Sequence, residues 1–346
     1  MASDETFRGP RIDRRKFTLA AMLTLTAACN GGAQSRTPGR PATWSSYREL
    51  FLSQDGRIVD TGNKGVSHSE GQSYGLAFAL DAGDREAFDR IAKWTREHLA
   101  RPDVALHSWR FDPTAANPVA DRNNATDGDI IIAWALGLAG QRWNHPEYTA
   151  RAAEIRAAIA SHCVIERYGR KLLLPGIEGF VTDAGVTLNS SYFVWPALDA
   201  FALIDGQQSW APIIADCEAI AKLARFGTRH LPVDWMRITG PSQLAPAPDK
   251  PPRFGYDAIR VPLWASLGGR PALVDDVDAY WRSSTAAGRP IPAWIDVMSG
   301  EEAPYAISSG GAAVASLLLG TQKPAILADD YYSASLQLLS GLHLVR

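Results

Sequence analysis

Apolar side chains return every three or four residues along much of this chain, in segments of helical rather than strand length. Phe88, Ile91, Thr95 and Leu99 line one face of a stretch that Asp84 can cap. Tyr148, Ala152, Ile155 and Ile159 do the same behind Pro146, where a first helical turn tolerates proline. Further apolar, helix-length segments run over 191–204, 210–226, 257–267, 272–284, 308–319 and 328–340, several with proline early or glycine just beyond. Strand patterns are rare. Lys171 to Pro175 and Arg57 to Asp60 read as short strands in loops, and little else does. About a dozen helices joined by loops of unequal length predict an all-α toroid of helix pairs rather than a four-helix bundle. The proline-rich stretch from Pro241 to Pro252 reads as a surface loop delivering the segment after it, with an interdomain linker as the alternative.

The N-terminus departs from this pattern. Arg11, Arg14, Arg15 and Lys16 precede the apolar run Phe17 to Ala28, which is too short to span a bilayer and suits the core of a signal peptide. Asp13-Arg14-Arg15-Lys16-Phe17-Thr18-Leu19 resembles a twin-arginine export signal, with Sec export of the same segment as the alternative. Cys29 is a possible lipidation site, set against simple cleavage near Ala28 or Ala33. The chain thus divides into a signal peptide over 1–33, a linker over 34–43 and one domain over 44–346. An exported protein is expected, periplasmic or secreted, meeting a membrane only through a lipid on Cys29.

Composition narrows the partners. With 46% hydrophobic residues, 21% charged residues and a formal charge of −2 over 346 residues, the chain has no electrostatic footprint for nucleic acid. Its 11 Trp, 10 Tyr and 11 Phe supply flat apolar faces that could stack on sugar rings, although such residues also build cores. The 3 Cys and 7 His lack the paired spacing of a zinc site, and neither a metal nor an organic cofactor is expected. Cys163 and Cys217 fall on apolar sides of helix-like patterns, which favours buried free thiols over a bridge.

Three acidic motifs carry the candidate chemistry. Thr126-Asp127-Gly128-Asp129 opens an apolar helix pattern that runs on to Trp143, so Asp127 either caps that helix or meets a ligand. Glu70, in Ser69-Glu70-Gly71-Gln72-Ser73-Tyr74-Gly75, is either a first-turn acid favoured by the helix dipole or a carboxyl raised by desolvation for acid catalysis. Asp257, in Arg253-Phe254-Gly255-Tyr256-Asp257-Ala258-Ile259-Arg260, is three residues from Arg260, an ion-pair spacing that would keep it charged. An N-cap with a surface salt bridge is the other reading.

Taken in order, these motifs resemble glycoside hydrolase family 8, and the resemblance runs from about Trp44 to the C-terminus. It is nearest to bacterial endoglucanases associated with cellulose synthesis. It implies an (α/α)6 barrel and an endo-β-1,4-glucanase that inverts configuration, with Glu70 as general acid, Asp257 as general base oriented by Arg260, and Asp127 binding and distorting the sugar at the cleavage point. Trp109, Tyr192, Tyr256 and Arg260 are the expected substrate contacts, Asp129 is expected to support the helix start or its neighbours, and Gly128 to leave space for a sugar. Trp134 and Trp143 are read as packing residues. The implied partner is a β-1,4-glucan, with a possible link to a cellulose synthase complex. Xylanase, chitosanase and mixed-linkage glucanase are the enzymatic alternatives, and a non-catalytic glucan-binding accessory the alternative from another class.

Overall fold

The computed structural model describes residues 39–344, so the expected signal peptide, twin-arginine motif and Cys29 lie outside the described residues. Eleven α-helices follow in chain order among them: α1 (Trp44–Phe51), α2 (Ser69–Asp81), α3 (Arg85–His98), α4 (Thr126–Arg142), α5 (Pro146–His162), α6 (Trp195–Asp205), α7 (Gln207–Leu223), α8 (Arg260–Leu267), α9 (Asp275–Ala286), α10 (Ser309–Leu319) and α11 (Tyr331–Leu339). Six of them close a ring: α2 packs on α4, α4 on α6, α6 on α8, α8 on α10, α10 on α11, and α11 returns to α2. The others pack outside it, α1 on α11, α3 on α2, α5 on α4, α7 on α6 and α9 on α10. This is the expected (α/α)6 barrel.

The two layers follow from side-chain chemistry. Every α2 residue from Gly71 to Leu80 is buried, as is every α4 residue from Thr126 to Gly137, so these two inner helices have no solvent-facing polar stripe over those spans. Outer α3 is amphipathic: Ala87, Phe88, Ile91, Trp94 and Thr95 face inward, and Asp84 caps it by accepting the Ala87 N–H at 3.1 Å. Such a cap stabilises a helix by about 1 kcal/mol. Residues 40–42, expected as linker, are hydrogen-bonded to 325–327 through Ala42 N–H to Ala325 O (2.9 Å) and Leu327 N–H to Arg40 O (2.8 Å). Cys163 and Cys217 are buried free thiols.

The strand content corrects the sequence reading. Ten short strands are present among the described residues: β1 (Ser67–His68), β2 (Arg110–Phe111), β3 (Val164–Arg167), β4 (Arg170–Leu173), β5 (Val181–Thr182), β6 (Gly185–Leu188), β7 (Met236–Gly240), β8 (Gln243–Pro246), β9 (Arg253–Phe254) and β10 (Ile295–Asp296). The expected strand near Lys171 is β4, whereas Arg57 to Asp60 makes only the single bridges Leu52–Ile58 and Asp60–Val66. β5 to β8 form one antiparallel sheet, and its last strand lies inside the proline-rich stretch expected to be loop. Strands this short bury too few residues to leave a period-two pattern. The sheet matters for function because β6 pairs with β7, Leu188 opposite Met236, which carries residues 234–235 to the residues that follow Leu188.

Candidate active site

The inner helices begin at a common end. Glu70 is in the first turn of α2, Asp127 in the first turn of α4, and Arg260 is the first residue of α8. Ser191 and Tyr192 directly precede α6. The Gly310 N–H donates to Ser333 Oγ at 2.6 Å, so α10 and α11 start side by side, and the Tyr332 hydroxyl donates to Tyr256 O at 2.7 Å next to Asp257. Helix N-termini carry partial positive charge, which favours carboxylates gathered there.

Arg260 organises the cluster. Its side chain is only 2% exposed, against 21% for Glu70, 3% for Asp127 and 20% for Asp257. One terminal nitrogen donates to Glu70 Oε2, to Asp127 Oδ2 at 3.0 Å and to Tyr74 Oη at 3.0 Å. The other donates to Asp257 Oδ1 at 2.8 Å and Ser191 Oγ at 3.3 Å. The guanidinium therefore stands between the Glu70–Asp127 pair and Asp257. Expected as a substrate contact, Arg260 has both terminal nitrogens engaged by protein, and the three carboxyls offset the cost of burying its charge.

Asp127 is not a cap. The N-cap of α4 is Ala125, which offers no side-chain acceptor. Asp127 Oδ1 accepts the Gly128 N–H at 2.8 Å and Oδ2 faces Arg260. Burial, then the Glu70 charge, push the Asp127 carboxyl up to about 8 against the pull of Arg260. Asp257 is also raised, by burial first, with Arg260 pulling it down and Glu70 pushing it up. The expected ion pair with Arg260 is present, but desolvation outweighs it.

Around the charges the structure sets aromatic rings. Trp109 is half-buried, stacks on His68 at 5.9 Å between centroids, and donates its indole N–H to Asp121 at 2.9 Å. Tyr192 lies at 6.0 Å from the Arg260 guanidinium and 6.3 Å from the Trp235 ring, which in turn stacks on Phe180 at 6.0 Å. Tyr256 is 66% exposed and stacks on Tyr332 at 4.3 Å. The site thus unites Glu70, Asp127, Asp257, Arg260, Tyr192 and Tyr256, with Trp109 placed through His68, two residues before Glu70. Asp129 supports its surroundings as expected, accepting from His107 N–H (3.0 Å) and Asn124 Nδ2 (3.0 Å). Trp134 is buried and Trp143 packs edge-on against Phe88.

Gly128 works differently from expectation. A methyl group there would lie 2.7 Å from Ser69 Oγ and 2.9 Å from Glu70 N, so its missing side chain lets the starts of α2 and α4 touch. Sequence reading missed Phe180, Asp234, Trp235 and Tyr332. Asp330, an N-cap accepting the Ser333 N–H at 2.8 Å, was a signal that could have placed Tyr332 at a helix start. Among the described residues no group of three or more His, Cys, Asp or Glu is arranged to hold a metal ion.

Two carboxyls facing a third across a fixed cation, among aromatic rings at one end of an (α/α)6 barrel, are the groups that glycoside hydrolysis calls for. The model of glycosyl hydrolases family 8 matches residues 11–344, and the chain belongs to that family. It is similar to a probable endoglucanase of Novacetimonas hansenii, 40% identical over 86% of this chain and 88% of that one. An endoglucanase of Cellulomonas uda is 38% identical over 80% of this chain and 77% of its own length. The solved structure of the endo-β-1,4-glucanase CMCax from Acetobacter xylinum superposes with a TM-score of 0.83 at 38% identity, covering 88% of this chain and 98% of that one.

Proposed function

We propose that this glycoside hydrolase is an exported endo-β-1,4-glucanase that cleaves with inversion, using Glu70 as general acid and Asp257 as general base. The observation that carries the reading is Arg260, with Glu70 and Asp127 on one terminal nitrogen and Asp257 on the other. Glu70 gives its proton to the glycosidic oxygen as the bond to the anomeric carbon breaks. Water attacks that carbon from the opposite face and yields its proton to Asp257. Inversion requires the two carboxyl groups to stand about 6.5–9.5 Å apart, with room for that water between them. Asp127, behind Glu70, holds and distorts the sugar at the cleavage point, while Trp109, Tyr192 and Tyr256 contact the flanking sugars. The similarity to endoglucanases supports a β-1,4-glucan as the polymer.

Purified protein assayed side by side on carboxymethyl cellulose, xylan and chitosan tests this, with release concentrated on the first expected. Preference for xylan or chitosan would contradict the substrate. The working place is outside the cytoplasm, supported by Arg14-Arg15 and the apolar run after them. No helix among the described residues is long and apolar enough to cross a membrane. A role beside a cellulose synthase complex rests on the sequence resemblance, and altered cellulose in a deletion strain would support it.

A further inference from the structure

Asp257 lies in the turn before α8, where no helix holds its backbone. Asp234, 23 residues upstream, holds it instead. Asp234 Oδ1 accepts the backbone N–H of Asp257 at 2.9 Å and of Ala258 at 2.8 Å. The backbone N–H of Asp234 donates to Arg253 O at 2.8 Å, so one residue latches both ends of the segment 253–258. Within it, Gly255 lets the chain pass, since a methyl group there would lie 3.1 Å from Trp294 Cβ and 3.5 Å from Asp234 Oδ2. Asp234 is fixed by β7, which starts at Met236 between Leu188 and Pro246.

We propose that Asp234 is a positioning residue of the hydrolysis, its single oxygen Oδ1 aiming the Asp257 carboxylate by holding the two backbone N–H groups beneath it. This rests on Asp257 being the base. Asp234 makes no hydrogen bond to Arg260, Glu70 or Asp127; it reaches the site through the backbone of Asp257 and Ala258. Burial and the Asp257 charge push Asp234 up to about 7, against the pull of the Gly255, Asp257 and Ala258 N–H groups. Below that pH the acceptor is a neutral carbonyl oxygen, the same group an asparagine side chain presents. Geometry, not charge, is what the position requires.

The test uses the full chain on a soluble β-1,4-glucan with Asp234→Ala, Asp234→Asn, Asp234→Glu and, as reference, Asp257→Asn. Asp234→Ala should lower kcat by on the order of 10²-fold with KM little moved, since misplacing a catalytic group by about 1 Å costs that much. Asp234→Asn should restore most of kcat, and Asp234→Glu, which keeps the charge but shifts the oxygen, should fall below Asp234→Asn. If Asp234→Ala fails to fold, the ranking of Asn above Glu still decides. Wild-type kcat in folded Asp234→Ala, or Glu equal to or above Asn, would overturn the proposal. Full activity of Asp257→Asn would instead overturn the base assignment, which separates the two failures.

Discussion

Glu70, Asp127 and Asp257 converge on one guanidinium, and under the proposed mechanism Glu70 supplies the proton that the leaving oxygen takes. Glu70→Gln and Asp257→Asn should each fold and bind glucan while losing on the order of 10²–10⁴ in turnover, measured as kcat beside binding by calorimetry. Near-wild-type kcat in either would remove that residue from the mechanism. Arg260→Lys should fail more broadly, since a single ammonium cannot reach both sides of the fork that now spans Asp127 and Asp257. Asp127 also makes stability depend on pH. Unfolded it releases its proton near 3.8, folded near 8, so the folded state binds more protons in between. Its stabilising contribution is complete below the lower value and is lost as pH rises through the upper one, and Asp234, raised to about 7, acts in the same direction. Asp127→Asn has no proton to lose. Its melting temperature should therefore gain on the wild type as pH rises from about 4 to 8, by on the order of 2–4 °C for each kcal/mol. A constant difference across that range would refute the assignment of a raised Asp127.

Elements act through contact as well as charge. The close approach of α2 and α4 at Gly128 sets the distance from Glu70 to Asp127, and Gly128→Ala would press a methyl group onto Ser69 and Glu70 backbone. Overpacking of this kind costs about 1–3 kcal/mol. We expect lower stability in denaturant titration and a kcat loss exceeding any rise in KM; an unaffected enzyme would show that the two helix starts tolerate separation. The same contact explains what the sequence disclosed. α3 and α5 were legible because they are half-exposed and caps or prolines mark their starts. Glu70, Asp127 and Asp257 were legible as motifs, but α2 and α4 are buried over most of their length and display apolar runs without a polar face, so periodicity could not tell inner from outer layers. Asp234 and Trp235 were opaque for another reason. They reach the site through the β6–β7 pairing of segments nearly fifty residues apart, and a two-to-five-residue strand gives no local sign of its partner.

For the whole molecule, a ring of helices with their N-termini at one end gives carboxylates favourable dipoles and leaves the loops above free to carry aromatic rings. Trp109 with His68, Tyr256 with Tyr332, and Trp235 with Phe180 and Tyr192 are held in pairs or triples, so they arrive already ordered for a polymer. The proposed export rests on the chain's first residues. Replacing Arg14 and Arg15 with lysine should trap precursor in the cytoplasm if the twin-arginine route is used; unchanged export would assign the protein to Sec. Within the barrel, the central claim is that Glu70 and Asp257 act from opposite faces of one glycosidic bond with a single water between them. Proton NMR during early hydrolysis of a β-1,4-glucan reads this directly. The α-anomer of the new reducing end should appear first, with the β-anomer growing only through mutarotation. Initial appearance of the β-anomer would require a covalent glycosyl-enzyme intermediate, and would contradict Asp257 as a base acting on water.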